Sequence, residues 1–233
     1  MKFLENLCIA YSRNSKLYGY NIRQILNHST LYIAPMINPD GVNLVNNKID
    51  FNSNEYAYAR YISKKFPDIP FPNGWKANIN GVDLNLQFPA DWDSAKKIKY
   101  SQGYSYPAPK NFVGQKPLTE PEALALHNFT LTHNFRMILT YHTQGKEIYW
   151  KFKNYAPKES YNIGSKFAQS SGYYLSEVPY ESSFAGYKDW FLQEFRRPAF
   201  TIEAGFGENP LSLSQFDSIY NDNIGILVLA AIL

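Results

Sequence analysis

Short apolar runs alternate with stretches of helical period along this chain, and several of the runs end on a turn bearing a polar side chain. That alternation constrains the fold more than any single residue does. Residues 31–34 lead into Pro35-Met36-Ile37-Asn38-Pro39-Asp40-Gly41. Residues 82–86 follow Gly81 and set Asp83 and Asn85 two apart, which on a strand puts both on one face. The run at residues 135–142 closes on His142, and residues 199–204 carry Glu203 near their tip. A further strand is expected at residues 147–150.

Between these runs, Phe3, Leu4, Leu7, Cys8 and Tyr11 recur at helical spacing. Helices are also expected at residues 21–27, 55–65, 119–134, 160–172, 185–195 and 213–233. Thr119 with Glu122 has the form of a capping box, and Pro121 suits a first turn. Residues 66–80 and 89–116 are rich in Pro and lack a clear period, so both read as loops. A loop as long as the second is usually functional. The pattern predicts one α/β domain over residues 1–233, with helices layered on a sheet.

Composition removes several function classes. A hydrophobic share of 45% against 18% charged residues excludes a disordered chain. The net charge of +3 is scattered, and its densest cluster, Lys96, Lys97 and Lys99, is too short for a nucleic-acid footprint. The single cysteine, Cys8, excludes an intrachain disulfide, and its apolar neighbours Leu4, Leu7, Ile9 and Ala10 predict a buried thiol. Residues 224–233 are too few for a membrane span of about 20 residues. Met1 leads into an amphipathic pattern rather than an export signal, so a cytoplasmic protein with no membrane partner is expected. Nothing in the sequence constrains the oligomeric state.

Taken in order, residues 35–41, residues 81–89, Tyr141-His142-Thr143-Gln144-Gly145 and residues 200–205 resemble the zinc metallocarboxypeptidase family. Leu86-Gln87, residues 141–150 and residues 201–210 are similar to its bacterial branch that cleaves γ-D-glutamyl–diamino acid bonds in peptidoglycan peptides. The resemblance implies a mixed, mostly parallel twisted sheet flanked by helices, a Zn2+ cofactor and a peptidoglycan-derived peptide as substrate. By the same resemblance His142 is a zinc ligand and Glu203 the general acid/base. Lys76 falls where an Arg that polarises the scissile carbonyl is expected, and Lys offers only a point charge there. Asn85 matches a contact to the substrate carboxylate. The Arg that follows it in ordinary carboxypeptidases is replaced by Leu86 and then Gln87, which suits the diamino-acid branch. Tyr180 matches a mobile substrate-capping Tyr, with Glu181 one residue on as the alternative. Lys188 falls near the specificity pocket, where a cation would read an acidic group; a solvated helix lysine is the other reading.

One departure is large. The family draws a His and a Glu ligand from a His-x-x-Glu motif, and this chain has none: His28, His127, His133 and His142 are followed at the third position by Leu31, Thr130, Arg136 and Gly145. Residues 1–5 resemble the helix that follows that motif in the family. The resemblance therefore implies a chain that begins just downstream of its metal motif and lacks the first strands of the sheet. A catalytic zinc takes about three protein ligands, so impaired hydrolysis is expected. The alternatives are a metal-free muropeptide-binding pseudoenzyme and a vestigial fragment.

Overall fold

The structure, a computed structural model, describes residues 1–233. Its centre is a four-stranded sheet built from β3 (Ile138–His142), β4 (Glu147–Tyr149), β5 (Tyr174–Ser176) and β6 (Ala199–Glu203), in the order β3-β6-β4-β5. β3 runs parallel to β6, β6 antiparallel to β4, and β4 parallel to β5. This is the mixed, mostly parallel sheet expected from the sequence. A separate two-stranded ribbon, β1 (Lys16–Leu17) with β2 (Tyr20–Asn21), lies near the N-terminus.

Alternation along β6 divides the molecule into two layers. Phe200 and Ile202 face one way and meet Ile163 and Phe167 of α7 (Glu159–Ser171) and Ile226 of α9 (Phe216–Ala230). Ala199 and Ile138 face the other way, against Trp190, Phe191 and Leu192 of α8 (Tyr187–Phe195) and Ala123 of α6 (Pro121–Leu131). With both faces covered, a β6 of nearly unbroken apolar character is what a central strand requires. The polar residues on the α8 side of the sheet are then confined to its open end. There Thr140 and Thr201 share a hydroxyl hydrogen bond of 2.9 Å, and His142 and Glu203 stand one step further along.

The N-terminal third packs around this frame. Helix α1 (Lys2–Ser12) buries Phe3, Leu7 and Ala10 against Ile22 of α2 (Ile22–Leu26) and Val228 of α9. Cys8 lies about 100° round the helix from Leu7 and is exposed, so the expected buried thiol is not found. Helices α3 (Pro39–Val45) and α4 (Asn54–Ser63) bury Leu44, Ala59 and Ile62 with Trp75 and Ala77. Asn38 caps α3 through the Gly41 N–H at 3.0 Å, and its amide donates to the Ala77 carbonyl at 2.9 Å. A Cβ on Gly41 would lie 2.6 Å from that carbonyl, so the glycine permits this close approach. The Asn-Pro-Asp-Gly turn thus clamps the loop that carries Lys76.

Four expectations are corrected. Residues 31–34 form no strand: Tyr32 and Ile33 are exposed, and no ladder joins them to the outer edge of β3. An apolar run becomes a strand only beside a partner. Instead the Tyr32 ring sits edge-on to His133 and Phe135 at 4.8 and 5.3 Å. Residues 82–86 are not extended either. Asp83 accepts the Asn85 N–H at 3.2 Å, closing a 3-10 turn over Leu84–Leu86, and local side-chain bonding of this kind competes with a strand. The long segment after Pro89 contains helix α5 (Trp92–Ser101), which buries Trp92, Ala95 and Lys99. A lysine at a core position hid its period. The capping box at Thr119 does not form: α6 has Glu120 at its N-cap, and the Thr119 hydroxyl turns to Gln87 at 3.0 Å.

Candidate active site

Strand pairing builds the site from the bottom up. His142 on β3 and Glu203 on β6 are register partners, and Glu203 is also the partner of Glu147 on β4. Directly paired residues share a face, so His142, Glu203 and Glu147 form one row across the open end of the sheet. The charges of Lys76 and Asp83, both on loops, reach this row. Lys76 is exposed at the surface of its loop, and its backbone N–H donates to the Pro109 carbonyl at 2.7 Å. Asp83 accepts the Asn111 N–H at 3.0 Å as well as that of Asn85, which fixes the turn presenting Asn85 to solvent.

The electrostatics of the row are coupled. Burial lifts the Glu203 carboxyl to about 7; the neighbouring charge of Glu147 adds to the rise, and Lys76 opposes it. Burial pushes the His142 imidazole below its ordinary value, Asp83 pulls the other way, and Lys76 lowers it further. The phenol of Tyr149 is raised, first by burial and then by its hydrogen bond to Glu147. The site therefore holds a carboxyl that exchanges protons near neutral pH beside a neutral imidazole. A group poised in that range is suited to general acid/base work.

The remaining candidates divide into two groups. Tyr180 lies on a 3-10 turn at Tyr180–Ser182, 72% exposed, its ring edge-on to Phe184 at 5.2 Å. It stands at the surface, free to meet a ligand. Gln87 is wholly buried. Its amide donates to the Val113 carbonyl, and its oxygen accepts the Thr119 and Glu120 N–H groups at 2.9 and 3.1 Å. It has no atom left for a substrate and instead ties three segments together. Lys188 is also buried; its ammonium donates to the Lys151 carbonyl at 2.8 Å and to Asp189. It is neither a solvated helix lysine nor a free cation. Asn85, Gly186 and Asp189 meet nearby: a Cβ on Gly186 would lie 2.8 Å from an Asp189 carboxylate oxygen and 3.4 Å from the Asn85 side-chain amide oxygen.

Glu147 and Tyr149 escaped the sequence reading as site residues, and Lys99 entered it only as one of a short lysine cluster. The signal for the first two was the strand at residues 147–150, because antiparallel return beside β6 brings its alternate residues onto the Glu203 face.

The sequence profile of the zinc carboxypeptidase family matches residues 1–224. This chain belongs to the zinc carboxypeptidase family. It is 42% identical over 231 residues to gamma-D-glutamyl-L-diamino acid endopeptidase 1 of Lysinibacillus sphaericus, covering 98% of this chain and 55% of that protein. It is 37% identical to an uncharacterized protein of Bacillus subtilis (strain 168), covering 97% of this chain and 58% of that one. The chain thus spans a little over half the length of these relatives. In fold it is similar to thrombin activatable fibrinolysis inhibitor, with a TM-score of 0.67 at 16% identity, covering 99% of this chain and 56% of that one. It is also similar to a carboxypeptidase A from Helicoverpa armigera, with a TM-score of 0.58 at 20% identity, covering 86% of this chain and 51% of that one.

Membership in a zinc family raises the question of ligands. Catalytic zinc in proteins is held by about three side chains with one position open. No three His, Cys, Asp or Glu side chains of this chain are grouped so that they could hold a metal ion. His142 is the imidazole at the row, and His28, His127 and His133 lie elsewhere: His133 packs with Tyr32 and Phe129, His127 with Trp190. The residues of this chain therefore do not by themselves fit a catalytic zinc.

Proposed function

We propose that this chain supplies the peptide groove and the proton-transfer carboxyl of a peptidase that cleaves γ-D-glutamyl–diamino acid bonds in peptidoglycan peptides. The observation that carries the reading is the pairing of Glu203 with His142 at the open end of the sheet, with the Glu203 carboxyl lifted to about 7. Its support is the 42% identity to an endopeptidase named for that bond.

In this reading Glu203 takes a proton from the attacking water and delivers it to the departing amine. A carboxyl near 7 can perform both halves at neutral pH. Lys76 places positive charge beside the row, where negative charge develops on the scissile carbonyl oxygen. Asn85 offers an amide to a substrate carboxylate, and Tyr180 closes over the peptide from the surface. Lys188 shapes the pocket wall through its pair with Asp189. Gln87 acts from behind, by fixing the turn that carries Asn85.

A second reading is a metal-free binder of muropeptides, and it is favoured by His142 standing without two further donors. Both readings require a working groove. The test is calorimetric titration of the chain with γ-D-glutamyl-meso-diaminopimelate in the presence of a chelator. Saturable binding that weakens about tenfold, the loss of one or two hydrogen bonds, in an Asn85→Ala variant is expected. No binding by the unaltered chain would remove both readings. Hydrolysis assayed with zinc in a protein that carries a His-x-x-Glu segment upstream of these residues then separates them, because only the peptidase reading allows product there.

A further inference from the structure

Residues 178–184 carry Tyr180 at the surface, and their own hydrogen bonds are local. Ser182 N–H donates to Pro179, Ser183 N–H to Tyr180, and the Ser183 hydroxyl to the Val178 and Pro179 carbonyls. The C-terminal flank is fixed by Ala185, which exchanges backbone hydrogen bonds with Ala90 and Phe88 at 2.8 and 2.9 Å. Within the turn, one hydrogen bond arrives from another element. The Lys99 ammonium, on helix α5, donates to the Glu181 carbonyl at 3.2 Å.

Lys99 is an unusual occupant of its position. It is 8% exposed and lies on the buried face of α5 with Trp92 and Ala95. It belongs to none of the ion pairs of the molecule. Its other partner is Gln102, at 3.4 Å. Burial pulls its pKa down, while the charges of Asp83 and Glu181 hold it up. An apolar residue would stabilise this face more, because burying an ammonium without a carboxylate partner is costly. The cost has a structural return in the Glu181 contact, since a charge-assisted bond to a carbonyl is stronger than a neutral one. Asp83, whose charge acts on Lys99, also fixes the turn of Asn85, so the same ammonium is linked to the turn of Asn85 and to the turn of Tyr180.

We propose that Lys99 is a positioning residue that straps the Tyr180 turn to helix α5 and so sets where Tyr180 stands over the groove. The strap is independent of the hydrolytic reading; only its consequence for a bound peptide rests on that reading. It is tested by amide hydrogen exchange of the full chain, followed by mass spectrometry, in Lys99→Met and Lys99→Arg variants. Met keeps the apolar stem and removes the donors; Arg keeps a cationic donor. In the Met variant, exchange across residues 178–184 is expected to quicken by about tenfold or more, with β3, β6 and α5 unchanged. The Arg variant is expected to restore most of the protection. Unchanged exchange at residues 178–184 in the Met variant overturns the proposal. So does acceleration throughout the chain, which would make Lys99 a residue of general stability, and so does an Arg variant that behaves like Met.

Discussion

Replacing Glu203 by Gln is expected to lower hydrolysis of a γ-D-glutamyl–diaminopimelyl bond by about 10²–10⁴-fold, the usual contribution of a general acid/base. The measurement is made on zinc-loaded protein in which a His-x-x-Glu segment stands upstream of these residues. The substitution keeps the size and the hydrogen bonding of the side chain and removes its titration. A variant with undiminished turnover would end the assignment of Glu203. The same substitution has a second, opposite signature in stability. Glu203 holds its proton more tightly in the folded chain, at about 7, than at the ordinary 4.5. Between those two values the folded state binds more protons than the unfolded state, so stability falls as pH rises through that window. The contribution is fully present below 4.5 and gone above 7. The Glu203→Gln chain is therefore expected to melt higher than the unaltered chain at pH 8 and about equally at pH 4, because an amide carries no burial cost of ionisation.

Replacing Asp189 by Ala is expected to destabilise the fold by about 3–5 kcal/mol, because it leaves the Lys188 ammonium buried without its carboxylate. Both side chains are almost wholly enclosed. Urea denaturation measures the loss as a lower midpoint at constant slope. Replacing Lys188 and Asp189 together by Met and Leu is expected to recover most of it, since paired removal leaves no uncompensated charge. A single substitution costing under about 1 kcal/mol, the range of an exposed pair, would mean that Lys188 reaches solvent and is available to read an acidic group on a substrate. The two outcomes separate a wall-forming lysine from a specificity lysine.

Glu203 and His142 were legible in the sequence for a physical reason. Both end short, strongly apolar strands, and a polar residue at such a tip is visible against its run. Their pairing was not legible, because register between β3 and β6 depends on contacts some 60 residues apart. The helices with clean apolar faces, α1, α4 and α7, were likewise apparent. Helix α5 was not, because Lys99 and its lysine neighbours mask the buried stripe and the buried lysine stem counts as polar in any pattern. The strand expected at residues 82–86 failed for a related reason. Its alternation is real, but Asp83 bonds the backbone two residues on and turns the chain. Residues 31–34 had the composition of a strand and found no ladder. Among the candidate substrate contacts, Asn85 and Tyr180 stand exposed, whereas Gln87 and Lys188 are buried. Sequence position alone could not separate exposed from buried, because Asn85 and Gln87 stand two residues apart in one motif.

The central claim is that this chain carries the acid/base carboxyl and the groove but only one of the donors that a catalytic zinc requires. Elemental analysis of the purified chain after equilibration with zinc and mild dialysis tests it directly. A zinc content far below one per chain is predicted, since a single imidazole does not hold the ion against dialysis. Retention of about one zinc per chain, lost when His142 is replaced by Ala, would contradict the account and require further ligands from these residues.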